Sequence, residues 1–319
     1  MTKLHIHSIL HLLKVILTFE LNTSIPDMTR FALAFIILLL TTKTVFSQQD
    51  TVISQPVFCP QGNWELVYSE EFDVDVLNKE QWLTYFPYTD DGSDQCAFCR
   101  THGNEGQVFK DENIEISNGI LKIIAKRESA TWFDQQRDFT SGMIHSRQAF
   151  AQGRYEIRSK LPAGMGFWPG LWTFGQISAE IDIMEAGMQN PERFHTSIHN
   201  WKIGKMAHNK NRVKMDLSED FHVYAMEWDT NIIRFFIDDT EVWSFSRFTN
   251  RRGRNRGNCN LKPGRYKIDP VFPPEQERLF LIIGLGVGND STPFTKSPGP
   301  ETVLPNMLEV DWIRYYQRK

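Results

Sequence analysis

The sequence predicts an all-β protein built as a sandwich or a barrel. Three observations carry that prediction. Short segments in which apolar and polar residues alternate recur from Trp64 to Tyr316, the pattern of strands buried on one face. Few segments sustain the period of an amphipathic helix. Ser117-Asn118-Gly119 separates two alternating runs, and an Asn-Gly pair in that setting is a strong hairpin signal. The 319 residues carry a formal net charge of −4, without the basic excess that general nucleic-acid binding requires.

Taken in order, the chain begins with a targeting pattern. Met28-Thr29-Arg30 precedes the apolar run Phe31–Leu40, and Val45-Phe46-Ser47 leads into Gln48-Gln49-Asp50. A basic start, an apolar centre and a small residue before a polar stretch describe a secretory signal peptide. The run is shorter than the ~20 apolar residues of a bilayer span. Residues 1–47 are read as the signal region, with Met28 as the expected start, and no membrane association is expected after its removal. Residues 48–60 are polar and proline-bearing and read as a linker. Residues 61–319 read as one domain, without an internal repeat.

Within that domain Trp64–Phe72 opens the strand series, and Asn113–Ala125 reads as a hairpin around the Asn-Gly turn. Gly142–Phe150 and Arg154–Leu161 follow. In the latter, Tyr155, Ile157 and Leu161 oppose Arg154, Glu156, Arg158 and Lys160, so one face is buried. Further strands are predicted at Ala179–Glu185, Arg193–Asn200, His222–Trp228, Ile232–Ile237, Glu241–Phe245, Leu279–Gly286 and Leu308–Tyr316. Arg247–Arg265 is rich in arginine and free of acids, and reads as an exposed loop. The four cysteines are Cys59, Cys96, Cys99 and Cys259. Export permits disulfides, and Cys96–Cys99 with Cys59–Cys259 is one pairing among several; the Cys-x-x-Cys also fits half of a zinc site.

The chemistry concentrates in Glu180–Ala186, which reads EIDIMEA. In a strand Glu180 and Asp182 share one face. Strict alternation would turn Glu185 into the core, where an unpaired carboxylate is costly. One extra residue, a β-bulge at Ile183 or Met184, returns Glu185 to the face of the other two. Repulsion in such a row keeps at least one acid protonated near neutral pH. A neutral acid beside an ionised carboxylate is the pair that glycoside hydrolysis uses. Trp168 and Trp172 lie just upstream in GMGFWPGLWTFG, and His199 lies downstream in HTSIHN, alternating onto the same face as His195 and Ser197. Indoles offer flat apolar faces to sugar rings; a tryptophan alone is more often a core residue, but two beside a carboxylate row are a more specific signal.

EIDIMEA preceded by WPGLW resembles the active-site signature of glycoside hydrolase family 16, and its extra Met resembles the laminarinase-type branch. VYSEEF, GRYEIRSKLP, FHVYAMEWD and EVDWIRYY extend the resemblance along most of the chain after the leader. The resemblance implies a β-jelly-roll of two curved antiparallel sheets with a concave substrate cleft. It implies Glu180 as nucleophile, Glu185 as general acid/base and Asp182 as the residue that tunes the nucleophile. Trp168 and Trp172 would line sugar subsites. Asn104, in the Asn104-Glu105 pair, together with Arg154 and His199, would contact substrate. Glu71, Asp311 and the Gly119 carbonyl match the positions of a structural calcium; no cofactor is required for the chemistry.

A secreted monomeric endo-β-glucanase acting on β-1,3- or mixed β-1,3/1,4-glucan is the activity so implied, with polysaccharide as the partner. A galactan hydrolase and a non-catalytic glucan-binding lectin are the alternatives. The arginine-rich loop, if it lay beside the cleft, would favour a sulfated galactan, whereas a lectin would be expected to lack the acids present here. GVGNDSTPFTKSPG (Gly286–Gly299) departs from the usual laminarinase loop.

Overall fold

Two antiparallel sheets carry the fold. The structure is a computed structural model that describes residues 50–59 and 62–319; the signal region read at 1–47 lies outside them. One sheet runs, strand by strand, Lys205–Arg212, Arg193–Asn200, Ala179–Glu185, Phe167–Gly175, Leu279–Val287, Met143–Phe150 and Trp82–Leu83. The other runs Thr240–Ser246, Ile232–Ile237, His222–Trp228, Gly153–Lys160, Asn306–Arg318, Ile120–Ala125 and Ile114–Ser117, with Trp64–Glu70 also paired to Asn306–Arg318. Leu171, Ile181, Ile198 and Ile283 from the first sheet and Tyr155, Ile157, Met226 and Ile313 from the second share one buried cluster. This is the predicted jelly-roll, in which each sheet buries one face against the other. Among the described residues the one helical element is the 3₁₀ turn Asp111–Asn113, and no helix is long and apolar enough to cross a membrane.

The Asn-Gly hairpin forms as read. Asn118 and Gly119 both take positive φ, 55° and 72°, as the tight turn between Ile114–Ser117 and Ile120–Ala125 requires. Two long strands of the first sheet are among those that escape the sequence pattern. Phe167–Gly175 lies inside the first sheet although Pro169 cannot donate to a ladder; its carbonyl instead accepts from the Ala186 N–H at 3.3 Å. Lys205–Arg212 is an edge strand whose polar sequence shows no apolar alternation.

The linker reading of 48–60 requires correction over 50–59, the part of it that the structure describes. Asp50–Ile53 pairs antiparallel with Gly264–Ile268, Val57 bridges Leu261, and Cys59 is bonded to Cys259. Backbone pairing with a distant segment holds this stretch, so its polar side chains gave no sign of it. Residues 60 and 61 lie outside the described residues. The second disulfide joins Cys96 to Cys99.

The bulge sits where the acid spacing requires it. Leu171 opposes Met184 and Trp172 opposes Asp182, which leaves Ile183 as the extra residue. On the other side Asp182 opposes Ser197 and Glu185 opposes His195. Ile183 and Met184 are both buried, at 2% and 0% exposure. Two consecutive side chains thus enter the core, and Glu185 is freed from it. Met184→Leu conserves volume and is predicted to cost less than ~1.5 kcal/mol. Deleting Met184 removes a buried side chain, at a cost of about 2–5 kcal/mol. It also restores plain alternation, so the three acids stay on one face. Thermal unfolding should give a Leu variant near wild type and a folded deletion variant with a clearly lower Tm; a Leu variant as unstable as the deletion would contradict the bulge account.

Candidate active site

Cross-strand register builds the site in rungs. Glu180 pairs with His199 and His199 with Met206; Asp182 pairs with Ser197 and Ser197 with His208; Glu185 pairs with His195 and His195 with Lys210. Each acid therefore has a polar neighbour on the adjoining strand. Asp182, only 2% exposed, accepts hydrogen bonds from Ser197 Oγ and from His199 Nε2, the latter at 3.1 Å. The His199 ring stacks on Trp201 at 5.2 Å and 8°. Trp201 Nε1 in turn donates to Glu180 Oε2 at 2.8 Å. At the other end Trp168 Nε1 donates to Glu185 Oε1 at 3.2 Å. An indole holds each outer carboxylate of the row.

Two further segments wall the groove. His102 bonds Glu105 at 2.9 Å through Nδ1, and the Gln107 amide also donates to Glu105. Trp172 lies 6.4 Å from both the His102 and the Phe86 rings, and Phe86 stacks on Tyr88. Opposite, Phe294 packs on Trp168 at 4.7 Å and on His195 at 4.9 Å. The open part of the groove, about 930 Å³, is lined by the three acids, His102, Trp168, Trp201, Phe294 and the groove face of the two strands beyond them.

Burial and mutual repulsion raise both glutamates. Glu185 lies well above the usual carboxylate range, first because it is buried and then because Asp182 and Glu180 are negative. Burial, then the Asp182 charge, pushes Glu180 up to about 7, with His199, Trp201 and His102 working against the rise. Both glutamates are therefore held toward their protonated forms by burial and by the Asp182 charge. His199 is half-buried, which disfavours its charge, yet the Asp182 hydrogen bond and charge raise it above an ordinary imidazole.

The entry to the acid strand has its own support. Glu277 is fully buried and its carboxylate accepts from the N–H groups of Ile177, Ser178 and Ala179 at 2.8, 3.0 and 3.2 Å. Those three N–H groups would otherwise be orphaned at the turn just before Glu180.

The structure thus brings Glu180, Asp182, Glu185, Trp168, Trp172 and His199 to one groove. Asn104 is not on it. Its carbonyl accepts from Asn289, and it borders a separate recess with Gln136 and Asp138; Glu105 of the same pair faces the acids instead. Arg154 also requires correction. It lies on the other sheet, on the face opposite the buried Tyr155, and binds Glu156, Glu227 and Asp239 at 2.6, 3.0 and 2.9 Å. The alternation that buries Tyr155 turns Arg154 away from the core and onto the sheet without the acids.

The calcium positions do not form a free donor set. Glu71 makes a two-pronged pair with Arg314 at 2.9 and 3.0 Å, Asp311 is paired with Arg158, and Gly119 lies in the hairpin turn. Carboxylates already neutralised by guanidinium groups fit a calcium ion poorly. Glu180, Asp182 and His199 do bring three ligand atoms within 4.8 Å of one another, so a cation there would compete with substrate. Sequence reasoning missed His102, Trp201 and Phe294. Trp201 follows directly on HTSIHN and could have been found by extending that strand; nothing local marked Phe294.

Glu277→Gln replaces one acceptor oxygen by a donor and leaves a turn N–H unmatched. The predicted loss is about 1–3 kcal/mol, read as a lower Tm by calorimetry. An unchanged Tm would show that the turn holds without this carboxylate.

The comparisons with known proteins agree with this geometry. The family model described as "Glycosyl hydrolases family 16" matches residues 102–263. A beta-glucanase of Rhodothermus marinus is 31% identical over 80% of this chain and 86% of its own length. A glucan endo-1,3-beta-glucosidase of Cryptopygus antarcticus is 27% identical over 81% of this chain and 94% of its own. Other relatives are longer: the chain spans 34% of the clotting factor G alpha subunit of Tachypleus tridentatus and 41% of the glucan endo-1,3-beta-glucosidase A1 of Niallia circulans. The laminarinase structure from Rhodothermus marinus aligns at a TM-score of 0.60 with 29% identity, covering 80% of this chain and 98% of that one. The catalytic domain of an endo-1,3-beta-glucanase from Thermotoga petrophila aligns at 0.65 with 25% identity, covering 81% and 99%. The family match contains the whole acid strand with its flanking tryptophans, and the relatives extend it along four-fifths of the sequence: this chain belongs to glycosyl hydrolase family 16, in its laminarinase-like branch.

Proposed function

We propose that the protein is an endo-acting β-glucan hydrolase that works by two displacements and retains the anomeric configuration. The observation that carries this reading is the row of three acids on one groove face, with the outer two both raised by burial and by the Asp182 charge. Glu185 keeps its proton at neutral pH and gives it to the glycosidic oxygen. Glu180 attacks the anomeric carbon through the oxygen that Trp201 leaves unbonded. In the glycosyl ester so formed Glu180 carries no charge. One cause of the raised Glu185 pKa is thereby gone, and Glu185 can take a proton from the incoming water. Asp182, held by Ser197 and His199, supplies the fixed negative charge between them. Both steps use groups of the chain and water, without a cofactor.

The glucan assignment is supported by relatives named for β-1,3- and mixed-linkage glucans. Export is proposed from the leader pattern and the two disulfides, and the enzyme is proposed to act as a monomer.

Glu180→Gln should remove nearly all hydrolysis of laminarin while the protein stays folded by circular dichroism; a folded variant with most of its activity would overturn the nucleophile assignment. The first-formed product should be the β anomer by proton NMR before mutarotation, and an initial α anomer would contradict the mechanism.

The pH profile tests the electrostatics. kcat/KM should rise with pH through about 7, as Glu180 loses its proton, and fall at higher pH as Glu185 does. Trp201→Phe removes a donor that favours the charged form, so the rising limb should move to higher pH. Asp182→Asn removes a negative charge, so the limb should move to lower pH. A rising limb that stays in place in both variants would detach it from Glu180.

A further inference from the structure

We propose that the groove carries a subsite for an anionic substituent, a sulfate ester or a carboxylate, on the sugar bound beyond Glu185; the inference rests on the glucanase reading above and narrows its substrate. The rungs change character along the groove. Near Glu180 they end in His199 with Met206, and at Asp182 in Ser197 with His208. At Glu185 the rung ends in His195 with Lys210, and the next pairs Arg193 with Arg212. All of these residues line the same groove. Lysine and arginine side chains that alternate toward the acids therefore occur only from the Glu185 rung onward.

These cations lack partners that would explain them. Arg212 shares Glu192 at 2.9 Å in an exposed pair, but among the described residues the side chains of Arg193 and Lys210 have no ion pair or hydrogen bond. The acid on the same rung, Glu185, accepts from Trp168 Nε1 and, among the described residues, makes no ion pair with them. Lysine on an edge strand also discourages edge-to-edge pairing, and Lys210 is on such a strand. Arg193 is on its inner neighbour, where that need does not arise. Exposed and unpaired, both are free to bind an incoming anion through charge-assisted hydrogen bonds.

The same end of the groove holds an apolar surface for a sugar ring. Phe294 packs between Trp168 and His195. It is held there by Gln189 Nε2, which donates to the Phe294 carbonyl at 2.6 Å, and by close backbone approach to Gly187, where an added Cβ would lie 2.1 Å from that carbonyl. Phe294 comes from the loop in which this chain departs from the laminarinase pattern. The arginine-rich segment 247–265 contributes nothing to the groove lining. Its Asn255, Arg256 and Gly257 lie instead against the strand Thr240–Ser246. The positive charge met by a groove-bound sugar therefore comes from Arg193, Lys210 and Arg212.

The test uses laminarin, partly sulfated laminarin and carboxymethylated laminarin of matched chain length. Hydrolysis by the wild type is compared with the double variant Arg193→Gln, Lys210→Gln, in low and in high salt. Binding of the same three glucans to Glu180→Gln, with and without the two further substitutions, is measured by calorimetry. The wild type should prefer one substituted glucan by about tenfold in kcat/KM or in Kd, roughly one charge-assisted contact. The double substitution should bring that ratio near one, and high salt should weaken it. Whichever of the two modified glucans shows the preference identifies the anion as sulfate or carboxylate. Equal handling of neutral and substituted glucans, or a preference that survives the double substitution, would overturn the subsite. If no glucan is hydrolysed but the substituted one is bound more tightly and the preference needs Arg193 and Lys210, the subsite stands and the glucanase reading falls.

Discussion

Three carboxylates on one groove-facing side of a strand repel one another, and the groove depends on how that repulsion is contained. Asp182 takes the most donors, from Ser197 and His199. Glu180 has one indole N–H and lies near a histidine favoured in its charged form. Glu185 has one longer indole contact, and burial is the first cause of its raised pKa. Unequal support on one strand separates two chemically identical side chains into a base-like and an acid-like partner. Equal support would give two groups competing for the same proton.

The fold contributes by fixing angles. Register across the sheet places each donor opposite its acid, and the Ile183 bulge turns Glu185 outward at the cost of one irregular step in the ladder. Glu277 clamps the turn before Glu180, and the Gly187 contact seats the Phe294 loop after Glu185. Both ends of the acid strand are thus tied by groups remote in sequence. This is the arrangement that holds reacting groups in place on rigid elements.

Much of this was legible in the sequence where period-two alternation sets the outcome. The Arg154–Leu161 strand, the Asn118-Gly119 hairpin and the bulge follow from side-chain spacing and the cost of burying Glu185. The same alternation puts Arg154 on the outer face of its strand, but which sheet that strand joins is set by topology and not by spacing. Strands that rely on backbone pairing stayed hidden: Asp50–Ile53 and Lys205–Arg212 are polar, and Phe167–Gly175 is masked by Pro169. Site residues within a few positions of the acids were readable. His102 and Phe294 come from distant segments, and only tertiary structure brings them to the groove. Asn104 and Glu105 show the limit most closely, since one residue of register decides which of two neighbours faces the acids.

The central claim is that Glu180 forms a covalent bond to sugar while Glu185 manages the proton. Its most direct measurement is trapping. A laminari-oligosaccharide with fluorine at C2 of the reacting sugar and an activated leaving group slows the second displacement more than the first, so a glycosyl-enzyme should accumulate. After proteolysis, mass spectrometry should find the added sugar on the peptide carrying EIDIMEA, with fragmentation placing it on Glu180. An adduct on Glu185, or inactivation with no adduct on any carboxylate, would contradict the account.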